Sequence, residues 1–363
     1  MKFILLFFIF PLTSFGILPF EDAVSPELIT SARALAMGNA YMSKVDDGWS
    51  AFYNPAGLGT VRGLQVQPGN LHVETNNGFL KITGKGGFSD AVSNFSKAFD
   101  ATALRDLHAD KPGYVSHARL QAFPNITYRG ITLGYMYAQQ NRSRLRTAAS
   151  DFEIAERTDS GPVMALSLSL FGGVIKLGAT AIYLTRKELQ KDFAQGDTVA
   201  IDAEVDYKKG NMTHITSGLR LTIPIAFLPT FSIVSRNSSA SAFDSEELGG
   251  LPTEIPQTTD YSFSITPNIG RTFRIHWEIA NKDIGNQYDT VPAQRKLMTG
   301  IEFDYMRKMF VRFGYGDGWG SGGIGVRNKD FSFDLTSYAI ESSDEGVREE
   351  EDRRFIMSIS AGF

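Results

Sequence analysis

Apolar and polar side chains alternate with period two over segments of about ten residues, and this most limits what the chain can fold into. In 164–170, Met164, Leu166, Leu168 and Leu170 fall on one face, with Ala165, Ser167 and Ser169 on the other. In 273–279, Phe273, Ile275, Trp277 and Ile279 oppose Arg274, His276 and Glu278. Leu219, Leu221 and Ile223 likewise oppose Arg220 and Thr222, and Ile301, Phe303 and Tyr305 oppose Glu302 and Asp304. One face suits lipid and the other is polar or charged. A soluble sandwich also alternates, but it does not sustain strands of about bilayer length with aromatics clustered near their ends. The pattern predicts an all-β, antiparallel transmembrane β-barrel.

The N-terminus fits that destination. Lys2 is followed by the unbroken apolar run Phe3 to Phe10, then Pro11 and Ser14-Phe15-Gly16, so residues 1–16 read as a signal peptide. No later run is long and apolar enough for a membrane-spanning helix. Only helices and closed barrels satisfy their backbone groups in lipid. The 363 residues contain no cysteine, which excludes a disulfide scaffold, a zinc finger and a thiol enzyme. With 36 basic and 40 acidic residues the net charge is -4, so the positive field that nucleic-acid binding needs is missing.

The last residues, Phe355, Met357, Ile359, Ala361 and Phe363, alternate with Ile356, Ser358, Ser360 and Gly362. This resembles the terminal strand of bacterial outer-membrane barrels and puts Phe363 at the periplasmic side. Counting back from there, the long polar segments 139–161, 186–212, 237–258, 281–296 and 341–353 fall outside. The short turns at Arg129-Gly130, Gly172-Gly173, 224–229, 267–271, Arg307-Lys308 and 328–330 fall inside. The count reaches about 14 strands, starting near Gly63 to Val73, with Phe79 to Gly84 in a large external loop.

Residues 17–59 do not belong to the wall. They contain Ser31-Ala32-Arg33-Ala34-Leu35-Ala36-Met37-Gly38-Asn39-Ala40, then Asp46-Asp47, then Ala51-Phe52-Tyr53-Asn54-Pro55-Ala56-Gly57-Leu58-Gly59. This run resembles the N-terminal segment of the FadL superfamily, which includes long-chain fatty-acid transporters and PorV/PorQ-type proteins of secretion systems. The resemblance implies a hatch inside a barrel formed by residues 60–363, with the corner Asn54, Pro55, Ala56 and Gly57 in the lumen. Proline fixes its own φ and restrains the residue before it, while glycine permits close backbone approach.

Within the external loop 85–113, Phe88, Val92, Phe95, Phe99, Ala103 and Leu107 recur at three- and four-residue steps and predict one amphipathic helix from Phe88 to His108. By resemblance, Phe88, Val92, Phe95 and Phe99 are candidates to contact an apolar ligand; the plainer role is packing on the barrel rim. Pro124 interrupts an otherwise regular strand, Arg119 to Tyr128, and requires a bulge or break. That break is either a lateral exit, as in the transporter branch, or a strand leaving the sheet.

Chemistry motifs are negative. Gly318-x-Gly320-x-x-Gly323 is followed by a strand pattern instead of a helix, so it reads as a glycine-rich hairpin. His72, His108, His117, His214 and His276 lack metal-ligand spacing, and no nucleophile elbow is present. The sequence therefore points to no enzyme, no cofactor and no metal, although a Ser/His pair assembled across strands is not visible in sequence. The inward charges Lys176, Arg220, Arg274, Glu278, Glu302, Asp304, Arg312 and Asp334 come in both signs. They read as an ion-pair network that ties strands together and anchors the hatch, the alternative being an ion-selective pore. The acidic runs Asp244-Ser245-Glu246-Glu247 and Glu349-Glu350-Glu351-Asp352 either solvate the loops or bind divalent cations bridging surface lipid. The functions expected are passive uptake of hydrophobic, fatty-acid-like molecules or, alternatively, docking of a secretion-system or surface protein, in contact with outer-membrane lipid.

Overall fold

The computed structural model describes residues 18–84, 92–147, 149–244, 248–270, 272–328, 330–343 and 346–362. Residues 1–16, expected to be a signal peptide, and Phe88, the Ser245-Glu246-Glu247 run and Phe363 lie outside the described residues.

Fourteen antiparallel strands close on themselves. They are β1 (Leu64–Gln67 and Gly69–Asn76), β2 (Val115–Ala122 and Asn125–Tyr128), β3 (Ile131–Leu145), β4 (Phe152–Leu170), β5 (Ile175–Phe193), β6 (Lys208–Thr222) and β7 (Thr230–Arg236), followed by β8 (Thr258–Ile265 and Asn268–Ile269), β9 (Phe273–Asn281), β10 (Leu297–Tyr305), β11 (Met309–Gly316), β12 (Trp319–Arg327), β13 (Phe331–Glu341) and β14 (Glu351–Ala361). Each strand pairs with its sequence neighbours, and β14 pairs with β1, Met357 opposite Val73, so the sheet has no free edge. The count agrees with that drawn from turn placement. Among the described residues no helix is long and apolar enough to cross a membrane; this chain crosses with strands.

Alternation sorts the wall as predicted. Met164, Leu166 and Leu168 on β4, Leu133 on β3 and Val311 and Phe313 on β11 are exposed on the outside, while their neighbours Val163, Ala165 and Arg312 are buried inside. One end of the barrel carries short turns and the other the long loops.

Two of those loops are shorter than the sequence reading gave. Segment 139–161 continues as paired strand for most of its length and 186–212 for about half: Gln139 pairs with Thr158, and Arg186 with Gly210. β4 and β5 each run 19 residues, about 60 Å at a strand's rise, twice a bilayer's hydrocarbon core. Polar outward residues there mark where the hairpins leave lipid; they do not mark where backbone pairing stops.

The external loop also departs from expectation. It forms α3 (Asn77–Thr83), a 3-10 turn over Phe95–Phe99 and α4 (Ala101–Asp110), in place of one helix from Phe88 to His108. Asp100 is extended (φ −123°, ψ 111°) and its carboxylate accepts from Ala103 N–H at 3.0 Å. An N-cap starts a new helix and so ends the old periodicity. The buried face of α4 is accordingly Leu104 and His108, with Ala103 and Leu107 half-buried.

Candidate functional site

Residues 18–61 fill the lumen. Short helices α1 (Ala32–Ala36) and α2 (Ser50–Tyr53) and a 3-10 turn over Pro55–Thr60 present almost wholly buried side chains to the inner wall. At the corner, the Asn54 side chain accepts from Ala56 N–H at 3.0 Å and donates to Met42 O at 3.1 Å, closing an Asx turn that Pro55 pre-sets.

The wall is shaped to receive this segment at two places. Gly178 on β5 and Gly218 on β6 are direct cross-strand partners. A Cβ on Gly178 would stand 2.3 Å from Ala56 N, and one on Gly218 would stand 2.2 Å from Asn54 Oδ1. Gly300 on β10 and Gly314 on β11 are also direct partners. There a Cβ would meet Met37 O at 2.3 Å and Gly38 N at 2.1 Å. Two facing glycine pairs thus let plug backbone lie directly on wall backbone.

Ion pairs complete the attachment. Arg33 of α1 donates through Nε and Nη2 to both carboxylate oxygens of Glu302, at 2.7 Å each, and Glu302 also accepts from Arg312 Nε at 2.8 Å. Arg312 reaches Asp334 in turn. On the neighbouring wall, Arg236 links Glu27 of the plug (2.8 Å) to Asp260 (2.9 Å) and donates to Phe52 O at 2.6 Å. Ser43 N–H donates to Glu278 at 2.8 Å, and the Ser43 hydroxyl meets those of Ser232 and Ser262. Of the inward charges picked out in sequence, Glu278, Glu302, Arg312 and Asp334 join this network, Arg274 pairs with Asp304, and Arg220 donates to Val45 O of the plug. Lys176 donates to Gly173 O in the turn below it.

The wall has one interrupted seam among the described ladders that bears on Pro124. β1 and β2 pair at Gln67–Asn125 and again at Leu71–Ala122, which leaves Pro68-Gly69-Asn70 opposite only Phe123-Pro124. This is a bulge, and neither proline has an N–H to give. On its other edge β2 keeps register with β3, and Tyr135 N–H donates to Pro124 O at 3.1 Å. The Asn125 side chain spans the gap, donating to Phe123 O and to Gln67 Oε1. Phe123 points inward, where Gly134 leaves room for its ring, and packs on Phe52 (4.8 Å between ring centres) and Trp49 (6.0 Å).

Behind that seam the lumen is apolar. Met136, Val163, Ala165, Ile182, Leu184 and Met212 line the inner faces of β3 to β6 and form one buried cluster with plug residues such as Ile29, Trp49 and Phe52. The cluster reaches Phe243 and Ile255 in the long loop between β7 and β8. A continuous apolar column therefore runs from the loop end of the barrel to the Pro68/Pro124 seam, filled by plug side chains.

No protein-family model and no curated protein sequence matches the chain. Among solved structures it is similar to the toluene transporter TbuX of Ralstonia pickettii, with a TM-score of 0.50 and 10% identity over 92% of this chain and 98% of that one. At that identity the likeness shows the fold alone, a closed barrel of antiparallel strands. Weaker likenesses are to a deltaS2S3 mutant of TodX, a monoaromatic hydrocarbon channel (TM-score 0.46, 10% identity, 92% and 99% covered), and to a Pseudomonas aeruginosa FadL homologue (0.29, 9%, 92% and 98%).

In this barrel the loop residues singled out from sequence occupy an unexpected place. Val92 and Phe95, with Leu80 of α3, overhang the outer face of the wall and roof an apolar groove of about 990 Å³. Phe99 packs edge-on against Phe95, 5.5 Å between ring centres. The groove floor is the outward side of the wall, not the mouth of the apolar column. Between plug and loops lies a charged space bordered by Arg119, Arg157, Glu21 and Asp22. A hydrophobic pattern identifies an apolar face but not which side of a closed wall it covers.

His108 fixes α4 to the rim. Its Nε2 lies 3.2 Å from Ser116 Oγ on β2 and 3.0 Å from Ser143 Oγ on β3. Burial pushes this imidazole down to about 4. The trio has nucleophile–base spacing, yet all three side chains are enclosed and His108 Nδ1 has no partner among the described residues. Without an orienting acid or access for substrate it is a packing contact.

Proposed function

We propose that this barrel lets small hydrophobic molecules pass through the bacterial outer membrane without an energy source. The observation that carries this reading is the apolar column, which begins under the β7–β8 loop and ends behind the only wall position where two prolines oppose each other on adjacent strands among the described residues. An apolar solute entering under Phe243 and Ile255 stays on apolar surface down to Phe123, and leaves sideways into lipid between β1 and β2. Burial of apolar area at each step keeps it out of water, at about 25 cal/mol per Å².

Passage requires the plug side chains that fill the column, Trp49 and Phe52 first, to rotate aside. The glycine pairs and ion pairs hold the plug backbone meanwhile, so the motion is one of side chains and of the seam. Toluene, the solute named for TbuX, is one member of the class; a fatty-acid-like chain is the other. The exposed apolar tip at Val205, Leu248 and Leu251 is the feature on which docking of a secretion partner would rest.

The test is uptake of toluene by cells carrying the barrel, compared with cells carrying a Val163→Trp variant that crowds the column so that Trp49 and Phe52 cannot rotate aside, its heat-dependent gel shift unchanged. Uptake above background that the variant abolishes supports the reading. No uptake by the wild type, with a protein co-purifying in stoichiometric amount, supports docking.

A further inference from the structure

The roofed groove outside the wall belongs to neither the plug nor the column, and its position defines what it can hold. Its floor is an unbroken outward row, Phe313–Gly322–Ser337–Phe355–Thr75, in which each residue is the direct cross-strand partner of the next. The row below it, with Leu335 and Met357, is apolar throughout. Gly322 is a notch in the row. A Cβ built there would have Arg312 O at 3.4 Å and Phe313 Cδ1 at 3.7 Å as its nearest neighbours, and one on Gly320 would have nothing within 4 Å. Two outward glycines on one lipid-facing strand leave a channel that ordinary β-barrel strands fill with side chains.

We propose that this groove holds an acyl chain of a membrane lipid in the leaflet at the loop end of the barrel. The groove opens on the same face as the lipid-exposed residues Met309, Val326 and Phe331 further down these strands, so a chain enters from the bilayer without crossing water. It presents hydroxyls from Thr75 and Ser337 but no free charge, because Arg312 is committed inside to Glu302 and Asp334. A peptide would leave its backbone groups unpaired there. At about 990 Å³ it lies at the upper end of small-ligand sites, and its elongated floor suits a chain. Arg353, on the outward face of β14 two residues beyond Phe355, marks the level where headgroups begin; its guanidinium is held by Gly320 O at 2.8 Å and by Glu351. The proposal is independent of transport through the lumen.

The experiment titrates delipidated protein in mild detergent with dipalmitoyl phosphatidylglycerol and counts retained lipid by native mass spectrometry. The expected result is one lipid per wild-type chain and an occupancy about tenfold lower for Gly322→Leu, which fills the notch from outside and touches nothing in the lumen. Phe95→Asp in the roof gives the same loss. An unchanged heat-dependent gel shift establishes that both variants are folded barrels. Equal retention by wild type and Gly322→Leu overturns the proposal, as does the absence of any retained lipid. Toluene held in the groove in place of lipid overturns the choice of occupant.

Discussion

Gly218 on β6 has no side chain where Asn54 Oδ1 of the plug lies 2.2 Å from the position its Cβ would take. Gly178, directly across on β5, stands in the same relation to Ala56. Alanine at either site has to push away backbone or a hydrogen-bonded amide. Gly218→Ala is expected to cost about 1–3 kcal/mol, the usual range for overpacking, and to expose residues 18–61 to trypsin while the strands remain resistant. Gly322→Ala, with 3.4 Å clearance, is the control and changes neither readout.

Glu302 is the hub of a buried charge cluster, 1% exposed, between Arg33 and Arg312. Glu302→Gln leaves two guanidiniums facing a neutral group, and removing one partner of such a set costs about 3–5 kcal/mol. Urea unfolding in detergent reads this directly. The combined change Arg33→Met, Glu302→Leu, Arg312→Met, Asp334→Asn removes the central charges together with the carboxylate that Arg312 also holds, and is expected to recover most of the loss.

His108 gives the external loop a defined pH dependence. Burial lowers its pKa from 6.5 to about 4, so the neutral form is the one docked against Ser116 and Ser143. A base whose folded pKa is depressed contributes stability that is complete above the unfolded value and lost as pH falls. Docking of α4 is therefore intact at pH 7 and weakens progressively from about 6.5 to about 4. Amide exchange across 101–110 is expected to rise, relative to its intrinsic rate, in that window. In a His108→Gln variant the window disappears; a wild-type helix whose protection is flat from pH 7 to pH 4 contradicts the assignment.

Phe123 closes the column against the β1–β2 seam, fully buried against Trp49 and Phe52. Phe123→Ala is expected to destabilise the barrel by about 3–5 kcal/mol and to raise toluene uptake, because the last obstruction before the seam is gone. A stability loss without a gain in uptake places the exit elsewhere.

Much of the architecture was legible because a strand exposes its fold through alternation: Met164, Leu166 and Leu168 against Val163 and Ala165 tell lipid from lumen locally. Strand number followed from where turns interrupt that rhythm. Pro124 announced a break because its missing N–H is a property of the residue itself. The partner of that break, Pro68, carries the same signal one strand earlier, but the bulge exists only once register sets it opposite Phe123-Pro124. Helix continuity from Phe88 to His108 failed at Asp100, where a cap was as readable as the apolar stripe. The glycine pairs were illegible: Gly178 and Gly218 are 40 residues apart, and only the hairpin register makes them one docking surface. The side of the wall covered by Val92 and Phe95 depends on how the loop folds back, which no local pattern encodes.

Lateral exit at the Pro68/Pro124 seam requires β1 and β2 to part there. Gln67 and Asn125 are direct cross-strand partners beside it, with side chains in hydrogen-bond contact at 3.2 Å. Antiparallel partners lie about 4.5–5.5 Å apart at Cα, within disulfide range. Because the chain has no cysteine, the pair Gln67→Cys/Asn125→Cys introduces the only thiols. Toluene uptake by this variant, measured oxidised and then reduced in the same preparation, is predicted to fall about tenfold when the disulfide forms and to return on reduction. Uptake that is equal in the two states contradicts exit through this seam.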